Sequence, residues 1–243
     1  MFNNALRTAV TALGLICPGF VQAATISTIQ GEWSASDPVV SGVGSAQISW
    51  GQSAGYGQSG YLFESAETPF EVFPGSDFII GTFTHLNKPI RGTLLREAEL
   101  TVSFFFEGLA DAVTSVFLFD HLETHNEAWQ CANGGQNYTG LNINGCADRV
   151  GATLNEERSD TIEIDGTSYF MDLSGFEYGG SIFDYFWTQE RKNNEANLVG
   201  ILRTASGQPL SPVPLPASGF LLIGALAALG YARSKSTRAD AAA

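Results

Sequence analysis

Basic side chains are scarce in this sequence: 12 lysines and arginines stand against 25 aspartates and glutamates in 243 residues. Between residues 24 and 212 the imbalance sharpens to 24 acidic side chains against eight basic ones. Such a surface repels polyanions, which excludes nucleic acid and anionic lipid as partners of the middle of the chain. Histidine and cysteine each occur three times, and no second Cys or His pair stands at zinc-finger spacing. A serine nucleophile elbow, a phosphate-binding glycine loop and a dinucleotide fingerprint are all missing; Gly55-Tyr56-Gly57 is an ordinary flexible turn. No helical stripe of useful length appears outside the termini. What is plentiful is glycine, with 27 residues, and phenylalanine, with 17. Without a collagen-like period, that combination points to turn-rich β structure.

The long uncharged runs lie at the two ends. Residues 1–23 carry one Arg (Arg7), an apolar stretch from Thr8 to Phe20, and Val21-Gln22-Ala23. This is the layout of a secretory signal with cleavage expected after Ala23. Lipidation of Cys17 wants a small residue before it, and Ile16 is there instead. Removal of the signal leaves Cys131 and Cys146, an even pair that an exported chain is expected to oxidise to a disulfide. The loop between them is Gly/Asn-rich, so the bridge is expected to stabilise the fold by roughly 3 kcal/mol.

The C-terminal end divides into three parts: Val213-Pro214-Leu215-Pro216-Ala217, an uncharged run through Ala232, and a basic cluster of Arg233, Lys235 and Arg238. Residues 216–232 would make a helix of about 25 Å, at the short limit for a bilayer. The cations behind it would hold the tail in the cytoplasm and leave the acidic middle outside. Two readings follow: a permanent single-span anchor, or a transient one held until a membrane-embedded transpeptidase cuts at the Pro motif. The motif, helix and basic stop together resemble the VPLPA-CTERM variant of the PEP-CTERM sorting signals. That resemblance implies an exosortase-type processing enzyme as partner, in a Gram-negative bacterium that exports extracellular polysaccharide. Leu215-Pro216-Ala217-Ser218-Gly219 is also similar to the LPxTG signal of sortases, with Ser218 where Thr is usual.

Between the signals, residues 24–204 read as one β-rich domain, and residues 205–212 as a short Pro-containing linker. The period is two. In residues 99–106, Leu100, Val102, Phe104 and Phe106 face one way, while Glu99, Thr101 and Ser103 face the other. Residues 114–121 centre on a β-branched, aliphatic and aromatic run (Val116, Phe117, Leu118, Phe119), as in a strand buried on both faces. Asp165-Gly166 predicts a tight hairpin between strands at Thr161–Ile164 and 168–176. Further strands are expected at 46–50, 60–63, 78–85, 183–189 and 196–203, with the core starting near Ile29. About ten short antiparallel strands predict an all-β sandwich, the jelly roll being one of its forms.

The middle resembles a family as well. Trp50-Gly51, Gln58-Ser59-Gly60-Tyr61, Thr68-Pro69-Phe70, the block from Gly81 to Ile90 and Asn144-Gly145-Cys146-Ala147-Asp148 occur in that order. Over roughly residues 31–204 they are similar to the choice-of-anchor K domain, a bacterial surface domain whose members carry different C-terminal anchors. The resemblance implies a cell-surface location and an architecture, and it supplies no catalytic residues.

Candidate chemistry is thin. His121, Glu123 and His125 would project from one face of a strand and offer zinc ligands; His85 is the one further histidine. Asp120, Glu123, Asn126 and Asp148 offer hard oxygen ligands for calcium, without the Asp-x-Asp-x-Asp loop. The competing account has these residues ending a strand and hydrogen-bonding the neighbouring disulfide loop, with no cofactor. Glu156, Glu157, Asp160 and Glu163 read as a solvated acidic loop rather than a glycosidase pair, and Asn137-Tyr138-Thr139 matches a glycosylation pattern. The sequence thus predicts a non-enzymatic exported surface protein. Its alternatives are a carbohydrate-binding module stacking sugars on Trp33, Trp50, Trp129, Trp187 or its tyrosines, and a metal-dependent enzyme centred on His121, Glu123 and His125.

Overall fold

A computed structural model describes residues 23–205. Their strands are β1 (Ala24–Asp37), β2 (Gln47–Trp50), β3 (Gln52–Ser53), β4 (Ser59–Ser65), β5 (Phe70–Val72), β6 (Asp77–Asn87), β7 (Ile90–Arg91) and β8 (Glu97–Phe106). They continue as β9 (Val113–Leu122), β10 (Asp148–Leu154), β11 (Thr161–Ile164), β12 (Thr167–Tyr178), β13 (Ser181–Phe183), β14 (Tyr185–Thr188) and β15 (Lys192–Thr204). Six form one antiparallel sheet in the order β14-β10-β9-β8-β1-β5, and six more run β11-β12-β15-β6-β4-β2 in a second, with β13 added to β12. Strands β3 and β7 pair as a separate small ribbon. Among the described residues no helix is long and apolar enough to cross a membrane. The expected signal, linker and C-terminal helix lie outside the described residues, as does the sorting motif Val213, Pro214, Leu215, Pro216 and Ala217.

The two large sheets share one aromatic core. Trp33 of β1 lies with its ring 5.1 Å from Tyr61 of β4, and Phe119 of β9 stacks 5.3 Å from Phe83 of β6. Strand β8 shows how the sequence builds this. Its Leu100, Val102, Phe104 and Phe106 are buried and the alternate residues Glu99, Thr101, Ser103 and Phe105 are half-buried. Each buried Leu, Val or Phe contributes about 1.5–3 kcal/mol. Strand β9 departs from the expectation of two buried faces: on its outward side Val116 is buried but Thr114, Leu118 and Asp120 are only half so. The cover there is local. After β10 ends, Asn155 N–H donates to the Val116 carbonyl at 2.7 Å, and Val116 N–H donates to Ser159 Oγ at 3.0 Å.

The Asp165-Gly166 turn has positive φ at both residues (50° and 72°), which sets the β11–β12 hairpin. Residues 183–189 are not one strand. The chain passes between sheets at Asp184, with β13 on β12 and β14 on β10. Strands β1, β5 and β10 have no clear trace in the apolar pattern. β1 starts the core at Ile26 rather than near Ile29, and a register shift between Ile26 and Thr28 breaks its alternation.

Candidate metal centre

At one end of the two sheets, polar side chains turn inward where the core pattern calls for apolar ones. The second sheet contributes Tyr61 from β4 and His85 and Asn87 from β6; the first contributes His121 from β9, Asp148 from β10 and Thr188 from β14. Register brings them together: His121 opposes Val150 and Asp148 opposes Thr188. Glu123 follows one residue after β9 ends. Glu190 sits beside Arg191, whose φ of 61° marks the tight turn into β15. His85, Asp148 and Glu190 are 0% exposed, and the side chains of His121 and Glu123 are 0% and 9% exposed. Trp50 stacks on His85 at 5.8 Å and meets His121 edge-on at 5.3 Å.

Each histidine is held through Nδ1. The Tyr61 hydroxyl lies 2.5 Å from His121 Nδ1, and His121 Nε2 lies 3.3 Å from Glu123 Oε2. Burial first, then the charges of Asp148, Glu123 and Asp120, push the Tyr61 pKa well above its ordinary value. The phenol therefore keeps its proton and donates to Nδ1, leaving Nε2–H to donate to Glu123. His85 Nδ1 lies 2.8 Å from Thr188 Oγ1, which also accepts from Asn87 Nδ2 at 3.3 Å and donates to the Asp148 carbonyl at 3.2 Å. The hydroxyl has one hydrogen, so the assignment that satisfies all three partners has His85 donate from Nδ1. Its Nε2 then carries a lone pair, is buried and has no hydrogen-bond partner.

The carboxylates are half-satisfied in the same way. Asp148 Oδ1 accepts from Thr124 N–H at 2.7 Å while Oδ2 has no partner. Glu190 Oε1 accepts from Asn126 Nδ2 at 3.0 Å while Oε2 has none. Burial, with Glu123 and Glu190 adding to it, raises the Asp148 pKa well above the usual carboxylate range. Burial likewise pushes Glu190 up to about 7 against the pull of its Asn126 hydrogen bond. Burial, then the neighbouring His121 and Lys88, lowers the His85 pKa. Among the described residues neither Asp148 nor Glu190 has an ion-pair partner. An uncompensated buried carboxylate costs on the order of several kcal/mol. Ligand atoms of His85, His121 and Asp148 all lie within 4.8 Å of one another, as do those of Glu123, Asp148 and Glu190.

Of the residues singled out in sequence, His121 and Glu123 join this cluster and His125 does not. Strand β9 ends at Leu122, so the alternation that would align the three stops there. The His125 ring is exposed, and its Nδ1 accepts from Glu127 N–H at 3.2 Å. The calcium set also divides. Glu123 and Asp148 converge and Asn126 supports Glu190, but Asp120 points to the outer side of β9 and pairs with Arg149 at 3.0 Å. Asp160 caps the Thr114 N–H at 2.9 Å and Glu156 and Glu157 lie in an exposed 3-10 turn, a structural use. Asn137 spends its amide on the Asn126 and Ala128 carbonyls, both at 2.8 Å. Glu190 had no sequence signal, because what makes it notable is its burial against residues far away in the chain.

A lobe stapled by the Cys131–Cys146 disulfide, whose Cα atoms are 5.2 Å apart, covers the cluster. Thr124 Oγ1 donates to the Cys146 carbonyl at 2.8 Å and Asn144 Nδ2 to the Glu190 carbonyl at 3.1 Å. A cleft of about 550 Å³ on the surface is lined by Pro89, Arg91, Glu123, His125 and Asn126 among others. Glu123 thus belongs both to the buried cluster and to the lining of this surface cleft. No known family model matches this chain, and no curated protein matches it at a significant level.

Proposed function

We propose that this is an exported, non-enzymatic surface protein of a Gram-negative bacterium, carried out by its N-terminal signal and handled through its C-terminal sorting motif. The precursor is tethered in the inner membrane by residues 216–232. An exosortase-type enzyme then acts at Val213-Pro214-Leu215-Pro216-Ala217, leaving the β domain at the cell surface or in the extracellular matrix. The observation that supports this best is the Cys131–Cys146 bridge, since a disulfide closing a loop persists in an oxidising compartment. The resemblance to a choice-of-anchor K domain points the same way, and the facing sheets suit a sandwich. The β8–β9–β10 meander within one sheet gives that sandwich a simpler path than a strict jelly roll. Changing Pro214 and Pro216 together to Ala is expected to leave the full-length protein in the inner-membrane fraction. Unchanged processing in that variant would favour a plain tail anchor.

One observation favours a second reading, a carbohydrate-binding module facing extracellular polysaccharide. Trp33 and Trp50 are core, but Trp129 is 87% exposed and Tyr138 is 62% exposed. They flank the Gln130–Gln136 bridge on the disulfide lobe, a placement that offers ring faces to sugars. On a glycan array, the full chain should bind a polysaccharide and Trp129→Ala should lose at least about tenfold in affinity. An array with no hits removes this reading and leaves the first intact.

A further inference from the structure

We propose that His85, His121 and Asp148 bind one divalent first-row transition metal through the two Nε2 atoms and a carboxylate oxygen, with Glu123 as the adjoining carboxylate on the solvent side. This does not depend on where the domain resides. Acidic residues clustered together would not by themselves make a site. Here the second observation is that His85 Nε2 and Asp148 Oδ2, both on wholly buried side chains of this cluster, have no hydrogen-bond partner. Both rings are oriented before an ion arrives, since Nδ1 of each lies against a hydroxyl, Thr188 for His85 and Tyr61 for His121; His85 already has the hydrogen on Nδ1 that a metal-bound imidazole needs, and His121 gains it by a change of tautomer. Trp50, against both rings, limits their rotation further.

The donor set selects the class of ion. Two imidazoles and a carboxylate suit zinc, iron, manganese or nickel, whereas calcium asks for six to eight oxygens. Ligand atoms within 4.8 Å of one another would need to close to about 3.4 Å around a four-coordinate ion with bonds of about 2.1 Å, a small side-chain adjustment. On binding, His121 takes the tautomer with its hydrogen on Nδ1, facing the Tyr61 hydroxyl oxygen, so that Nε2 meets the ion as a neutral imidazole in place of its contact with Glu123 Oε2. His85 Nε2 already has its lone pair free. Glu190 lies behind Asp148, held by Asn126 and Asn144, and its charge is compensated by the ion without having to ligate it.

The test uses the mature protein as its host exports it, purified without chelator and measured for metal by elemental analysis. After stripping with chelator it is titrated with zinc, manganese and calcium salts. About one equivalent of a transition metal per chain is expected, with zinc affinity falling by more than about 100-fold in His85→Gln and in Asp148→Asn and unchanged in His125→Gln. Retention of the disulfide and of the β-type circular dichroism shows that the variants are folded. Should they fail to fold, cobalt titrated into the unsubstituted protein gives visible bands that report nitrogen and oxygen coordination. No transition metal in the purified chain and no zinc or cobalt uptake would overturn the proposal. So would zinc binding that survives both buried substitutions but is lost in His125→Gln, or binding of calcium alone.

Discussion

Gly31 shows how closely single residues are fitted in this molecule. It lies in β1 opposite Val102, and a Cβ placed on it would come within 2.3 Å of the Phe63 ring in β4, across the core. The two sheets therefore touch at this point through a glycine, and Phe63 is buried and cannot swing away. Gly31→Ala is expected to lower stability by about 2 kcal/mol, read as a lower urea midpoint with unchanged slope. An unchanged midpoint would show that the sheets can part locally at no cost. The same scale explains what was legible of the buried cluster. His121 and Glu123 stand two apart in sequence, so their nearness could be read directly. His85, Asp148 and Glu190 reach them only through pairings such as Asn194 with His85 and Asp148 with Thr188, which no local spacing encodes. Their burial is likewise invisible in a sequence, where Asp148 stands only as one hard oxygen ligand among several offered for calcium.

At the scale of elements, the strands with strict alternation or a strong turn were readable, and those with interrupted patterns were not. β8 has the first signal and the β11–β12 hairpin the second, and both fall where the pattern puts them. β1 is polar, contains Gly31 and carries two register shifts, so its 14 residues never show a clean period. β15 extends to Lys192 because its first residues, Lys192 and Asn193 among them, pair with the end of β6, which tertiary contact alone decides. The disulfide lobe is the element that joins the two functional ideas. It begins just after Glu123, and Cys146 stands two residues before Asp148. The bridge shortens the free chain leading into β10 and so limits where Asp148 can lie, while the outer surface of the lobe displays Trp129.

For the whole molecule, residues 23–205 build an acidic body of two antiparallel sheets around one aromatic core. The apolar ends follow different physics: a run such as 216–232 has no period-two pattern to bury in a sheet, and its cations matter only against a membrane. They carry the account of destination, whereas the body carries the account of chemistry. The measurement that tests the destination most directly is the intact mass of the chain isolated from its native host, taken with and without reduction. The account predicts a species that begins at Ala24, ends within or near Val213-Pro214-Leu215-Pro216-Ala217, and gains two hydrogens on reduction as the Cys131–Cys146 bridge opens. A 243-residue chain recovered from the cytosol with both thiols already reduced would contradict it.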